Sequence, residues 1–317
     1  MMMHKRMIML FVCFLFFVII ACSSQDAFPV LKGPYLGQKP PGMTPEIFAP
    51  DILSKDNLAF GLVFTPDGNK LYFKLFDPVK DKGSIMCMKR VNNIWTKPEV
   101  APFSGTYYDT DMSISHDGYR FFFRSNRPFP GSNRLKDRFY IWYMIRIKDG
   151  WSEPRPLDFS GNINIPVGCP TITFNGTLYF TARLDGTIGG SDVYRSRFVN
   201  GSYVTPENLG STINSKYNEN NMLIAPDESY MIVACNGRPE NIGEEDLYIG
   251  FRKSNGSWTT LKNMGKAINT ESDEKCPVLS PDGKYLFFIR YKLNVDACDI
   301  YWIDTKVIEE LKPDYLK

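Results

Sequence analysis

The sequence predicts an all-β fold, on three observations. A turn followed by an aromatic strand recurs five times, and each recurrence carries about four short strands. A segment near the N-terminus echoes the outer strand that the last recurrence lacks. The turns are Thr65-Pro66-Asp67-Gly68, Ser115-His116-Asp117-Gly118, Thr173-Phe174-Asn175-Gly176, Ala225-Pro226-Asp227-Glu228 and Ser280-Pro281-Asp282-Gly283. Their Asp/Asn positions are separated by 50, 58, 52 and 55 residues. Asp-Gly and Asn-Gly tolerate the positive φ that hairpin turns require. Each turn is followed by an apolar run, Leu71-Tyr72-Phe73 in the first copy and Phe121-Phe122-Phe123 in the second, of the composition strands favour.

A second half completes each copy. A further apolar strand follows, as in Asp192-Val193-Tyr194, Asp246-Leu247-Tyr248 and Asp299-Ile300-Tyr301-Trp302. In four copies it leads to a turn and an aromatic residue, as in Asn255-Gly256-Ser257-Trp258, and then to a last short strand. A lone four-stranded sheet has two faces to cover, and radial stacking of such sheets covers both while leaving only short edges. The expectation is a five-bladed β-propeller of four-stranded antiparallel blades, with six blades as the alternative. The fifth copy ends without its outer strand, but Thr44-Pro45-Glu46-Ile47-Phe48-Ala49-Pro50 echoes Thr96-Lys97-Pro98-Glu99-Val100-Ala101-Pro102. The N-terminal segment is therefore expected to close the ring, and residues around Lys306 to Leu311 to form a short helix.

Composition excludes other classes. With 37 basic and 35 acidic side chains the formal net charge is +2, which gives no electrostatic reason to expect nucleic acid as a partner. There are two histidines, His4 at the extreme N-terminus and His116 in the second turn, too few for histidine-rich metal chemistry or most Ser-His hydrolases. No cofactor or metal is expected. Of seven cysteines, Cys87, Cys169, Cys235, Cys276 and Cys298 lie in the repeats. None forms a C-x-x-C pair, and their disulfide state is left open. Cys169 and Cys276 share a repeat position but belong to the third and fifth copies, so their pairing is not expected.

The first residues read as an address. Lys5 and Arg6 precede an uncharged apolar stretch over residues 7–20, about the length of a signal-peptide core and short of the roughly 20 residues of a membrane span. It ends in Ile19-Ile20-Ala21-Cys22, which resembles the lipobox of bacterial lipoproteins. The resemblance implies cleavage before Cys22 and acylation of that residue, giving firm membrane attachment. Ser23, rather than an aspartate, points to the outer membrane. The division expected is a leader over 1–21, a lipidated tether over 22–44, the propeller over 45–304 and a C-terminal tail over 305–317.

The repeat signature itself, Ser-Pro-Asp-Gly with an aromatic strand, Asp-Ile/Leu-Tyr, Gly-x-Trp and Asn-Leu-Gly, resembles the WD40-like PD40 repeat of the TolB-type propeller family. It covers residues 45 to about 304. The resemblance implies the fold and an exported location; propellers host receptors, scaffolds and enzymes alike. Eight residues before each turn Asp/Asn stand Ala59, Asp109, Val167, Glu219 and Glu274; six before stand Gly61, Asp111, Cys169, Asn221 and Cys276. In equivalent blades, Asp109, Asp111, Glu219, Asn221 and Glu274 form either a polar, acidic channel mouth, able to bind a cation, an amine or sugar hydroxyls, or a hydrated collar of loops. The expected function is a lipid-anchored envelope module binding a protein or glycan, with a subunit of an envelope translocation assembly as one alternative. Another is a carbohydrate-active enzyme using carboxylates paired some 5–9 Å apart.

Overall fold

The computed structural model describes residues 28–53, 58–132, 138–162, 165–292 and 297–317. The expected leader and Cys22 lie outside the described residues. The chain divides into Met1–Val30, of which only residues 28–30 are described, without regular secondary structure, and Leu31–Lys317, which holds the ring.

Five antiparallel sheets follow one another along the sequence as five propeller blades. Blade one is built from Ala59–Phe64, Lys70–Asp77, Lys82–Val91 and Glu99–Val100. Blade two is built from Asp109–Ile114, Arg120–Ser125, Tyr140–Ile147 and Arg155–Pro156. Blade three takes Thr171–Ile172, Leu178–Ala182, Asp192–Ser196 and Glu207–Asn208, and blade four Asn218–Ile224, Tyr230–Asn236, Glu245–Phe251 and Lys262–Asn263. In blade five, Asp273–Leu279, Tyr285–Lys292 and Ala297–Asp304 are completed by Glu46–Ile47 from the other end of the chain.

The closure repeats the geometry of blade one. Glu46 faces Trp302 and Ile47 faces Tyr301, and the Phe48 N–H donates to Ile300 O at 2.7 Å. In blade one, Glu99 faces Cys87, Val100 faces Met86, and the Ala101 N–H donates to Ile85 O at 2.8 Å. The larger Phe48 fills the seam between blades five and one, fully buried against Phe64, Phe287 and Trp302. The expected tether is held earlier than its composition suggests. Leu31 O accepts from the Trp95 N–H, Gly33 O from Trp95 Nε1 at 2.7 Å, and Tyr35 wedges against Phe64, Tyr285 and Trp302. Buried aromatic surface holds residues 31–35 on the ring despite their Gly and Pro content.

The aromatic runs are explained by strand alternation. Phe121 and Phe123 face blade one, beside Tyr72 and Ile85, while Phe122 faces blade three, beside Leu178 and Phe180. In blade four Met231 and Val233 serve the contact with blade three, and Ile232 and Ala234 the contact with blade five. Both faces of the second strand are buried, so the sequence there is apolar without a polar alternate. The helix Lys306–Leu311 adds Val307 and Ile308 to the seam between blades four and five.

The repeat's polar signature residues are structural. In the turns, Thr65, Thr173 and Ser280 donate their hydroxyls to Asp67, Asn175 and Asp282 at 2.6, 2.6 and 2.7 Å. Copy four has Ala225 in place of the hydroxyl, and Ser229 supplies it to Asp227 at 2.6 Å from the other side. Glu228, in place of the turn glycine, adopts φ +60° and accepts from the Tyr179 hydroxyl at 2.7 Å. In blade four Asn263 donates to Asp246 at 2.7 Å. Asn269 donates to Asn263 at 2.8 Å and exchanges two hydrogen bonds with the Leu247 backbone. Asp192, Asn208 and Asn214 repeat this network in blade three. It pins the loop into the next blade. Asn269→Ala leaves the buried Leu247 amide without its acceptor and takes one donor each from the Leu247 carbonyl and Asn263, which keep the Met264 and Gly265 amides. A loss of about 1–3 kcal/mol is expected by urea unfolding; an unchanged midpoint would count against this role.

Candidate functional site

The first strands of all five blades line a central channel, and they run from an upper mouth toward the face that carries the turns. Below a constriction near Gly61, Asp111, Cys169 and Cys276 the channel widens into a cavity of about 690 Å³. Its walls are mainly apolar, with Val63, Met112, Ile172 and Ile224 among them, and it reaches the turn residues Pro66, His116, Phe174 and Pro281. His116 is an exposed turn residue whose ring rests on Phe174 at 4.7 Å.

The expected acidic rim is not what the aligned carboxylates form. Asp109, Glu219 and Glu274 are fully buried. Asp109 meets Arg127 at 2.8 Å and accepts from Ser104 Oγ at 2.6 Å. Glu219 meets Arg238 at 2.8 Å and accepts from Ser215 Oγ at 2.7 Å. Glu274 meets Arg290 at 2.7 Å and accepts from Thr270 Oγ1 at 2.7 Å. Each carboxylate ties the loop entering its blade to an arginine at the end of the second strand. Asp111 and Asn221 do stand at the channel, so the structure separates the two sets that the sequence reading placed together.

A bulge is the reason. The register of the first strand slips between Phe60 and Leu62, Thr110 and Ser113, Glu219 and Asn221, and Lys275 and Val278. Gly61, Asp111 and Cys276 sit there at φ +54°, +46° and +54°. An inserted residue inverts the alternation beyond it. Residues eight and six before the turn therefore do not share a face. Phe60 and Lys275, seven before it, line the upper mouth instead. Gly61 and the Pro277 that follows Cys276 are the sequence signals of such a bulge.

At the constriction, Asn221 Nδ2 lies 2.6 Å from Cys169 Sγ, and the Cys276 thiol faces Asn221 Oδ1 at 3.6 Å. Both thiols are free, yet the structure brings them to one point that their separate blades did not suggest. A hydrogen bond with Cys276, together with burial, pushes the Cys169 thiol well above its usual range. Arg124 pairs with Asp111 beside them. Burial works against the Asp111 carboxylate, but Arg124 and Lys74 outweigh it and hold the carboxyl below its usual range.

The upper mouth opens into a pocket of about 310 Å³ between Phe60, Lys74, Phe76, Tyr108, Lys275 and Tyr291. Tyr108 and Phe76 lie 6.3 Å apart between ring centres, and Tyr108 meets Phe139 edge-on at 5.1 Å. Lys275 bridges Asp273 at 3.1 Å and Glu245 at 3.4 Å. Burial pushes the Glu245 carboxyl up, against the pull of Lys275 and the Asn220 bond. A carboxyl raised on folding binds its proton more tightly in the folded state. Its contribution is thus full below about pH 4.5, the unfolded value, and is lost as pH rises through the folded value. Urea midpoints measured from pH 4 to 7 are expected to fall less in Glu245→Gln than in the wild type. Parallel profiles would remove Glu245 as the source. Among the described residues no group of three or more His, Cys, Asp or Glu side chains is arranged to hold a metal ion.

No family model and no curated protein matches the chain. Among solved structures, the protein described as "putative TolB" from Agrobacterium tumefaciens is similar over 83% of this chain and 85% of its own, at 14% identity and a TM-score of 0.52. A protein of unknown function from Dyadobacter fermentans is similar over 83% of each chain at 13% identity and a TM-score of 0.47. A gluconolactonase from Xanthomonas campestris is similar over 89% of this chain and 99% of its own, at 10% identity and a TM-score of 0.45. At these identities the likeness concerns the fold, and the chain takes a TolB-like β-propeller fold.

Proposed function

We propose that this chain is a lipid-anchored propeller of the bacterial envelope that binds a glycan or a protein at its upper mouth. The observation that carries the reading is the contrast between the two sets of side chains there. The repeat-aligned carboxylates are buried in ion pairs, whereas aromatic faces and two lysines, Lys74 and Lys275, surround an open pocket. A glycosidase needs a carboxyl group within reach of the sugar oxygen, and Asp109, Glu219 and Glu274 are spent on Arg127, Arg238 and Arg290. Aromatic faces beside a few polar groups suit recognition without chemistry. The apolar leader and Cys22 support acylation at that cysteine and residence at the outer membrane.

Two measurements test the reading. Envelope crosslinking and a glycan array are expected to give a ligand that Tyr108→Ala loses; turnover of a glycan by the isolated protein would reject the binding role. The mass of the mature N-terminal peptide is expected to carry acyl chains on Cys22, and Cys22→Ser to release the protein from membranes. An unmodified cysteine would reject the anchor.

A further inference from the structure

The charges of the upper mouth narrow the ligand further, on the reading just given that this mouth is a binding site. Lys275 is held by two carboxylates, Asp273 and Glu245, and Arg124 by Asp111. Lys74 has no direct partner: among the described residues no carboxylate lies within ion-pair distance of it, although its charge is felt by Asp111, and it donates no hydrogen bond. Its ammonium stands 4.0 Å from the centre of the Phe60 ring and 5.7 Å from that of Tyr108. Ring faces attract a cation but leave its hydrogen-bonding protons unused.

The wall beside Lys74 is shaped for a flat, partly apolar partner. A Cβ at Gly83 would stand 2.7 Å from Tyr108 Cε1 and 3.0 Å from Lys74 Cδ, so the bare backbone there lets the ring and the lysine stem converge. Tyr108 and Phe76, inclined at 42°, present adjoining faces. The pocket, about 310 Å³, is at the small end of ligand sites, with room for one or two sugar rings.

We infer that the upper mouth binds an acidic sugar: the carboxylate of a uronic-acid residue meets Lys74 Nζ, and the C–H face of its ring lies on Tyr108 and Phe76. The pairing supplies what each side lacks. Lys74 gains a charge-assisted hydrogen bond in a partly desolvated pocket, where such a bond is stronger than at an open surface. Neutral sugars gain the aromatic contact alone.

Calorimetric titration of the full chain with trimers of galacturonic and of glucuronic acid, and with their methyl esters, tests this. At least one acid trimer is expected to bind, and about ten-fold or more tighter than its ester. Lys74→Met is expected to abolish that preference while keeping the wild-type thermal midpoint, and Tyr108→Ala to weaken acid and ester together. Added salt is expected to weaken the acid alone. Equal binding of acid and ester, wild-type acid binding by Lys74→Met, or no binding of either acid at millimolar concentration would overturn the inference. A neutral glycan or an envelope protein lost in Tyr108→Ala but kept in Lys74→Met would leave the binding module standing and remove the acidic sugar. Loss of every ligand in the wild type would remove both.

Discussion

Phe48→Ala is expected to destabilise the ring by about 3–5 kcal/mol, the cost of truncating a buried phenylalanine that its surroundings cannot refill. Phe48 is fully buried at the seam where the chain's two ends meet, with ring centres of Phe287 and Trp302 both 5.0 Å away. The seam is the one blade contact not made by neighbours in sequence, so its loop-closure entropy is the largest in the fold. Losing packing there acts on every blade, because the ring closes only once. Deleting residues 1–48 goes further. It strips Glu46–Ile47 from the strand Ala297–Asp304 and uncovers Phe64, Phe287 and Trp302. An unpaired apolar edge is a template for association. The truncated chain is therefore expected to elute as oligomers and to lose a single sharp unfolding transition. A truncated monomer with the wild-type urea midpoint would show that the closure carries no stability.

The ring was legible in the sequence because its determinants are local and repeated. A turn needing positive φ, a strand buried on both faces and an Asp-to-Asn loop staple each leave a fixed residue at a fixed offset. Five copies average out the departures at Phe174 and Glu228. Closure was legible because Glu46-Ile47-Phe48 copies Glu99-Val100-Ala101, with the buried position enlarged. The upper mouth was not legible. Its orientation depends on one inserted residue per first strand, and a bulge leaves little trace in hydrophobic periodicity. The position eight before the turn precedes that insertion, and the position six before lies in or beyond it. Asp109, Glu219 and Glu274 are buried in ion pairs, whereas Phe60 and Lys275 line the mouth. Lys74, Phe76, Tyr108 and Tyr291 come from other strands and loops, and only the assembled ring brings them to the mouth.

The buried carboxylates give the sharpest contrast between structural and catalytic roles. Glu274 lies wholly out of solvent, and burial pushes its carboxyl up although Thr270 and Arg290 favour the charged form. Such a pair adds little net stability, because desolvation cancels most of the attraction. Breaking it is another matter. Glu274→Ala strands the Arg290 guanidinium, itself 15% exposed, and leaves the Thr270 amide and hydroxyl without their acceptor. A loss of about 3–5 kcal/mol is expected. Glu219→Ala is expected to match it, since Arg238 and Ser215 stand in the same relation to Glu219. The double replacement Glu274→Leu with Arg290→Met removes both charges and is expected to recover much of the loss. A carboxylate kept for chemistry behaves in the opposite way: its removal leaves the fold intact or firmer, and the partner arginine is indifferent to it. Urea midpoints of the two single variants and the double variant separate the cases. Single variants as stable as the wild type would return Glu219 and Glu274 to the list of reactive groups, and a double variant no better than Glu274→Ala would show that the hydrogen bonds to Thr270, rather than the stranded charge, set the cost.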